Sequence, residues 1–121
     1  AIDLQSYSPL IELGDMLKMK YDNDSYDIVF CGWVLTYTNL IQEAVNEIIR
    51  VTKNNGYVAI GISHKPDIKL TNKSVSNSDE LIKFFGNNVK RVIFNHHPGD
   101  LDDIINVKKF FRCVLIIQIK K

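Results

Sequence analysis

"YDIVFCGWVLTYTNLIQEAVNEIIRVTKNNGYVAIGIS", residues 26–63, sets two apolar runs on either side of an amphipathic stretch. "YDIVFCG" (26–32) and "GYVAIGIS" (56–63) are nearly continuously apolar, as strands covered on both faces of a parallel sheet tend to be. Between them Ile41, Ala44, Val45, Ile48 and Val51 or Thr52 fall on one helical face, at the i, i+3, i+4, i+7 spacing. Asn39 and Gln42 have the spacing of a capping box, and Lys53 suits a helix C-terminus. Asn54, Asn55 and Gly56 tolerate the left-handed turn that stops a helix. Strand, helix and strand in this order predict a right-handed βαβ unit.

Working outward, "AIDL" (1–4) and "LIEL" (10–13) predict two short strands separated by a Ser-Tyr-Ser-Pro turn. Asp22, Asn23, Asp24 and Ser25 form a polar turn ahead of the first apolar run. A polar loop (64–77) leads to a short helix, "SDELIKFFG", with Asn77 and Glu80 as its capping pair and Gly86 as its stop. "VKRVIFNHH" (89–97) predicts a strand, Pro98-Gly99-Asp100 a turn, and "FFRCVLIIQIK" (110–120) a last, long strand, antiparallel at one sheet edge. The alternation predicts an α/β fold.

The chain has 121 residues, the length of one domain able to bury roughly two thirds of its unfolded surface. Hydrophobic residues make up 45% and charged residues 24%, ordinary for a soluble globular protein. A net charge of +1 gives no bulk field for nucleic acid or a membrane. Residues 1–60 carry 4 basic and 8 acidic side chains and residues 61–121 carry 11 and 6, a mild asymmetry of solvated faces. Cys31 and Cys113 sit in apolar runs, as buried free thiols of a reducing compartment do. No apolar run nears the ~20 residues of a membrane span, so a cytoplasmic protein is expected. Ala1 opens almost inside a strand, which reads as a cut through a longer protein.

In open α/β sheets ligands bind outside the C-terminal ends of the strands. Those ends carry Asp3, Gly14-Asp15-Met16, Cys31-Gly32-Trp33 and Ser63-His64. A glycine there lets a ligand approach the backbone, and an aromatic can wall a pocket. Other patterns carry less. A calcium loop counted from Asp22 would need glycine and glutamate where Asp27 and Trp33 stand. His96 and His97 point to opposite faces if they lie on a strand, with no third ligand nearby. Cys31 has neither a helix N-terminus nor a cation beside it to make it a nucleophile. Trp33 and Tyr37 are read either as core or as pocket wall.

Taken in order, "IDL", "GDM", "YDNDSYDIVF", "VLTYTN", "EIIRVTKNNG" and "YVAIGI" resemble the class I S-adenosylmethionine-dependent methyltransferases of small-molecule type, the type-11 group in particular. The resemblance is close over residues 1 to 63 and looser in the tail. It implies a Rossmann-like sheet, mostly parallel, with an antiparallel C-terminal strand. By the same resemblance Asp3 accepts hydrogen bonds from the ribose hydroxyls of S-adenosylmethionine, and Asp15 accepts from the adenine amino group. Met16 packs the adenine ring and offers its backbone N–H, while the Cys31-Gly32 backbone meets the methionine portion. Trp33 and Tyr37 fall on the substrate side, Tyr37 in place of a frequent histidine. His64, at the end of the fifth family strand, is the candidate base, and Tyr37 the second candidate catalytic residue.

The sequence departs from the family at one large point. Its glycines are at 14, 32, 56, 61, 86 and 99, so no Gly-x-Gly occurs. The family's first strand and glycine-rich loop are thus absent, and residues 1–121 read as one partial domain, incomplete at the N-terminus. The expected partner is a small-molecule acceptor. Two other readings stand beside this one: a degenerate methyltransferase-like domain without catalysis, and a nicotinamide-dinucleotide-binding Rossmann domain. The second would also place an acid at Asp3, yet leaves "GDM" and "EIIRVTKNNG" unexplained.

Overall fold

The computed structural model describes residues 2–3, 12–13, 16–32, 35, 40–64, 78–96 and 111–121, with backbone alone for 2–3, 12–13, 63–64 and 111–112. The elements are β1 (Ile2–Asp3), β2 (Glu12–Leu13), β3 (Tyr26–Gly32), α1 (Ile41–Val51), β4 (Thr52–His64), α2 (Ser78–Phe85), β5 (Val89–His96) and β6 (Phe111–Ile119). β1 and β2 form a parallel pair. The other strands form a sheet in the order β3-β4-β6-β5. β3 and β4 run parallel, and β6 is antiparallel to both its neighbours. The fold is the expected Rossmann-like α/β arrangement, with one difference in order. β6 lies inside the sheet rather than at its edge, and β5 takes the edge.

Helix α1 forms where the apolar period requires it. Ile41, Ala44, Val45, Ile48 and Val51 are all buried, and each large side chain among them contributes about 1.5–3 kcal/mol of burial. Its start differs from the expected capping box. Leu40 is the N-cap and makes no side-chain cap bond, while Asn39 lies outside the described residues. The Gln42 amide instead donates to Asn46 Oδ1 at 2.9 Å and to the Phe84 carbonyl at 3.1 Å, tying α1 to α2.

At its other end α1 passes straight into β4. The Thr52 hydroxyl donates to the Ile48 carbonyl at 2.6 Å, and the chain is extended from Thr52 onward. Asn54, Asn55 and Gly56 therefore form an irregularity inside the strand pairing rather than a loop before it. Tyr26 pairs with Thr52 but Ile28 pairs with Tyr57, so four residues on β4 face one on β3. Asn55 takes the left-handed conformation (φ 67°), and Gly56 serves by its lack of a side chain. The stop predicted at Gly86 does use a left-handed glycine, with φ 55°. Asn77 lies outside the described residues.

One face of the four-stranded sheet is the core. Cys31 on β3, Val58, Ile60 and Ile62 on β4, and Cys113, Leu115, Ile117 and Ile119 on β6 pack with Ala44, Val45 and Ile48 of α1 and Leu81 and Phe85 of α2. The opposite face carries the alternate residues. Ile28 is 68% and Phe30 75% exposed, and Tyr26, Tyr57 and Phe94 also reach solvent. Register aligns Phe30, Ala59, Ile116 and Phe94 in one row across the four strands of this face. The sequence expectation of strands covered on both faces is met on one face only among the described residues. Among the described residues β3 has no ladder partner on its outer edge.

Candidate functional site

The parallel strands bring the sequence-predicted residues to one kind of position, the C-terminal strand end. Asp3 is the last residue of β1 and pairs with Leu13, the last of β2. Gly32 ends β3 and pairs with Gly61 on β4, three residues before the strand ends at His64. Two glycines in register put no side chain on either strand in this row, with Gly32 half-buried and Gly61 buried. A Cβ added at Gly32 would stand 2.9 Å from Cε1 of the Phe30 ring. That arrangement suits a ligand that lies against strand backbone.

Met16, three residues past β2, is half-buried and packs against the core. Cys31 is buried, and burial pushes its thiol up to about 11. It is a packing residue of the core. Asp15, Trp33 and Tyr37 lie outside the described residues, and for Asp3 and His64 the backbone alone is described. His96 ends β5 and stacks on Phe94, with ring centroids 6.4 Å apart. It stands in the same cross-strand row as Gly32 and Gly61, with Val114 between them. Three strand spacings separate it from Gly32, about 14 Å.

The polar turn ahead of β3 is built as a turn. The Ser25 hydroxyl donates to the Asp22 carbonyl at 2.5 Å, and Asp24 is left-handed with φ 56°. Asp24 and Ser25 N–H donate to the Arg50 and Val51 carbonyls at 2.9 and 3.0 Å, which docks the turn on the end of α1. Lys121 reaches the same place, with its Nζ 2.5 Å from Asp24 Oδ1.

Sequence reasoning missed two residues of this region, Glu47 and Arg50. Arg50 Nε and Nη2 donate to the two carboxylate oxygens of Glu47 at 2.6 and 2.9 Å. The hydrogen bond from Arg50 holds the Glu47 carboxyl below the usual carboxylate range, against an opposing effect of burial and with help from the Met19 N–H. The Arg50 guanidinium is correspondingly raised, first by its bond to Glu47. The i, i+3 spacing in "EIIR" was a readable signal for the pair. Its contacts 27 or more residues upstream were not readable.

With the geometry in place, comparison with known proteins is informative. Residues 3–60 match the methyltransferase domain family. Among curated proteins, none matches. In fold the chain is similar to a Listeria monocytogenes protein assigned to the S-adenosylmethionine dependent methyltransferases, with TM-score 0.71, 11% identity, and coverage of 99% of this chain and 79% of that one. It is similar to the cyclase SpnF at TM-score 0.69 and 10% identity, covering 91% of this chain and 55% of that one. It is also similar to geranyl diphosphate C-methyltransferase from Streptomyces coelicolor at TM-score 0.65 and 9% identity, covering 89% and 52%. The chain thus spans little more than half the length of the last two. At these identities the likeness speaks for the fold alone.

Proposed function

We propose, for a chain that resembles the class I S-adenosylmethionine-dependent methyltransferases in both sequence and fold, methyl transfer from S-adenosylmethionine to a small-molecule acceptor. One coincidence carries the reading. The family match over residues 3–60 takes in Asp3, Met16, Cys31 and Gly32, all at or just past the ends of parallel strands. Geranyl diphosphate C-methyltransferase was solved with S-adenosyl-L-homocysteine and a small-molecule diphosphate, which supports cofactor and acceptor class alike.

When bound, S-adenosylmethionine supplies an electrophilic sulfonium methyl. The chain's own residues hold and orient. Asp3 has two acceptor oxygens, which suit the vicinal diol of a ribose. Asp15 accepts from the adenine amino group, and Met16 packs the ring. Gly32 and Gly61, which put no side chain at this row, fit a group that must lie close to the strand ends. Trp33 and Tyr37 border the acceptor, which they align and shield from water. His64 takes a proton where the attacking atom must lose one, and Tyr37 is the second candidate catalytic residue.

We read residues 1–121 as part of one methyltransferase domain within a larger enzyme. Among the described residues the outer edge of β3 is unpaired, which supports this, since a further parallel strand would pair there. Such a strand would stand between β3 and the β1–β2 pair and bring the glycine-rich loop. A cytoplasmic location fits the free thiols of Cys31 and Cys113. No helix among the described residues is long and apolar enough to cross a membrane.

Calorimetry with S-adenosylmethionine tests the proposal. In the protein as its gene encodes it, Asp3→Ala and Asp15→Ala should each weaken binding by about 1–3 kcal/mol, the range for lost hydrogen bonds to a charged group. The 121-residue chain alone should bind weakly or not at all. If both variants bind as the parent does, the assignment of these acids is wrong.

A further inference from the structure

The segment from Met16 to Ser25 joins the end of β2 to the start of β3, and a single ion pair on α1 fastens its middle. Glu47 Oε2 accepts the Met19 N–H at 2.8 Å. Arg50 Nη2 donates to the Met19 carbonyl at 3.0 Å, and Nη1 donates to the Tyr21 carbonyl at 2.7 Å and to Asn23 Oδ1 at 3.0 Å. With its two bonds to Glu47, Arg50 uses all five of its N–H donors. The Glu47 and Arg50 side chains are only 17% and 30% exposed, so the bonds face little competition from water.

Lysine could not replace this arginine, because a single ammonium cannot span a carboxylate, two backbone carbonyls and an amide in one plane. The pair therefore holds both polar groups of Met19 on the helix that packs against the sheet. Met16 stands three residues away, within about 10 Å along the chain. Among the described residues β1–β2 and the four-stranded sheet share no ladder, so a tie between α1 and the segment leaving β2 bears on how the two groups of strand ends are spaced.

We infer that Glu47 and Arg50 are positioning residues for adenine recognition, acting through the Met19 backbone to aim the Met16 backbone N–H at N1 of the base, an acceptor in adenine and a protonated nitrogen in hypoxanthine. The inference rests on the methyltransferase reading and deepens it. It separates from a plain stabilising role because only the nucleobase end of a ligand should feel it.

The test uses the protein as its gene encodes it and two ligands, S-adenosylhomocysteine and S-inosylhomocysteine, which differ at the purine 6-position. The parent should prefer the adenosyl ligand. Arg50→Lys and Glu47→Ala should each lower affinity for the adenosyl ligand by about tenfold, the effect of one lost charge-assisted bond. Affinity for the inosyl ligand should change little, so the preference collapses. Glu47→Gln keeps an acceptor for the Met19 N–H and should retain more of the preference than Glu47→Ala. Hydrogen exchange at the Met19 amide should quicken in the same order. Equal losses for both ligands, or none, would overturn the positioning role and leave the methyltransferase reading intact. A parent that binds neither ligand would overturn that reading, and this inference with it.

Discussion

Replacing Gly56 with alanine should destabilise the protein, and the size of the loss follows from what surrounds the added methyl. A Cβ on Gly56 would meet the Asp27 carbonyl oxygen, the Lys53 carbonyl oxygen and Thr52 Cγ2, each at 2.8 Å. Two of the three are backbone atoms at the irregularity between β3 and β4, and neither can rotate aside. Overpacking of this kind costs about 1–3 kcal/mol. The unfolded state works the other way, since giving up glycine's freedom stabilises by about 0.4–1 kcal/mol. The net expectation is a loss of about 1–2 kcal/mol. Urea denaturation should read it as a lower midpoint with an unchanged slope. Two other glycines calibrate the result. Gly86→Ala meets nothing within 4 Å but must hold φ at +55°, at roughly 1 kcal/mol. Gly32→Ala meets only the exposed Phe30 ring, which can swing away, so its stability should be close to the parent's. A Gly56→Ala protein as stable as the parent, or less affected than Gly86→Ala, would refute the reasoning.

Three further outcomes are expected. Cys31 should resist alkylation at neutral pH in the folded protein and react once urea is added, because burial raises its thiol from 9.0 to about 11. With the folded value raised, its contribution to stability is complete below pH 9 and fades as pH climbs through about 11, so Cys31→Ala should flatten that decline in a melting series. Glu47 has the opposite sign. Its folded carboxyl is depressed, chiefly by the Arg50 hydrogen bond, so its contribution is complete above the ordinary carboxylate value of about 4.3 and is lost in more acid solution. Melting curves of parent and Glu47→Gln should therefore converge as pH falls, and parallel curves would contradict the bond. Phe30→Lys should reduce binding of a hydrophobic dye to the 121-residue chain without lowering its stability, as removing an exposed apolar side chain does. A large loss of stability would mean that Phe30 is packed.

What the sequence made legible was whatever has a local period. The face of α1 from Ile41 to Val51 and the strands β3, β5 and β6 follow from apolar spacing alone. The strand ends with Asp3 and Gly32 were equally readable, because a parallel sheet makes the end of each strand a site. Long-range choices were not. Asn54-Asn55-Gly56 has the composition of a turn, and only pairing with β3 turns it into an irregularity within β4. Gln42 suited a cap by spacing, yet the Phe84 carbonyl of another helix competes for it. Arg50 looked like an ordinary basic residue near a helix C-terminus, because its five acceptors were distant in the chain or unremarkable in type. Strand order too was hidden, since nothing in "FFRCVLIIQIK" says that it enters between two earlier strands.

That entry has a consequence for synthesis. β6 leaves the ribosome after both of its partners, yet β5 and the second edge of β4 pair with nothing else among the described residues. While residues 97–119 are being translated, at about 5–20 residues per second, both wait on the order of seconds with open backbone groups. Val92, Ile93 and Phe94, each close to half exposed even in the folded protein, are bare throughout that interval. A nascent chain of this design depends on chaperones most while β6 has yet to emerge. A premature stop anywhere before Phe111 would release a polypeptide whose β5 has no strand to join.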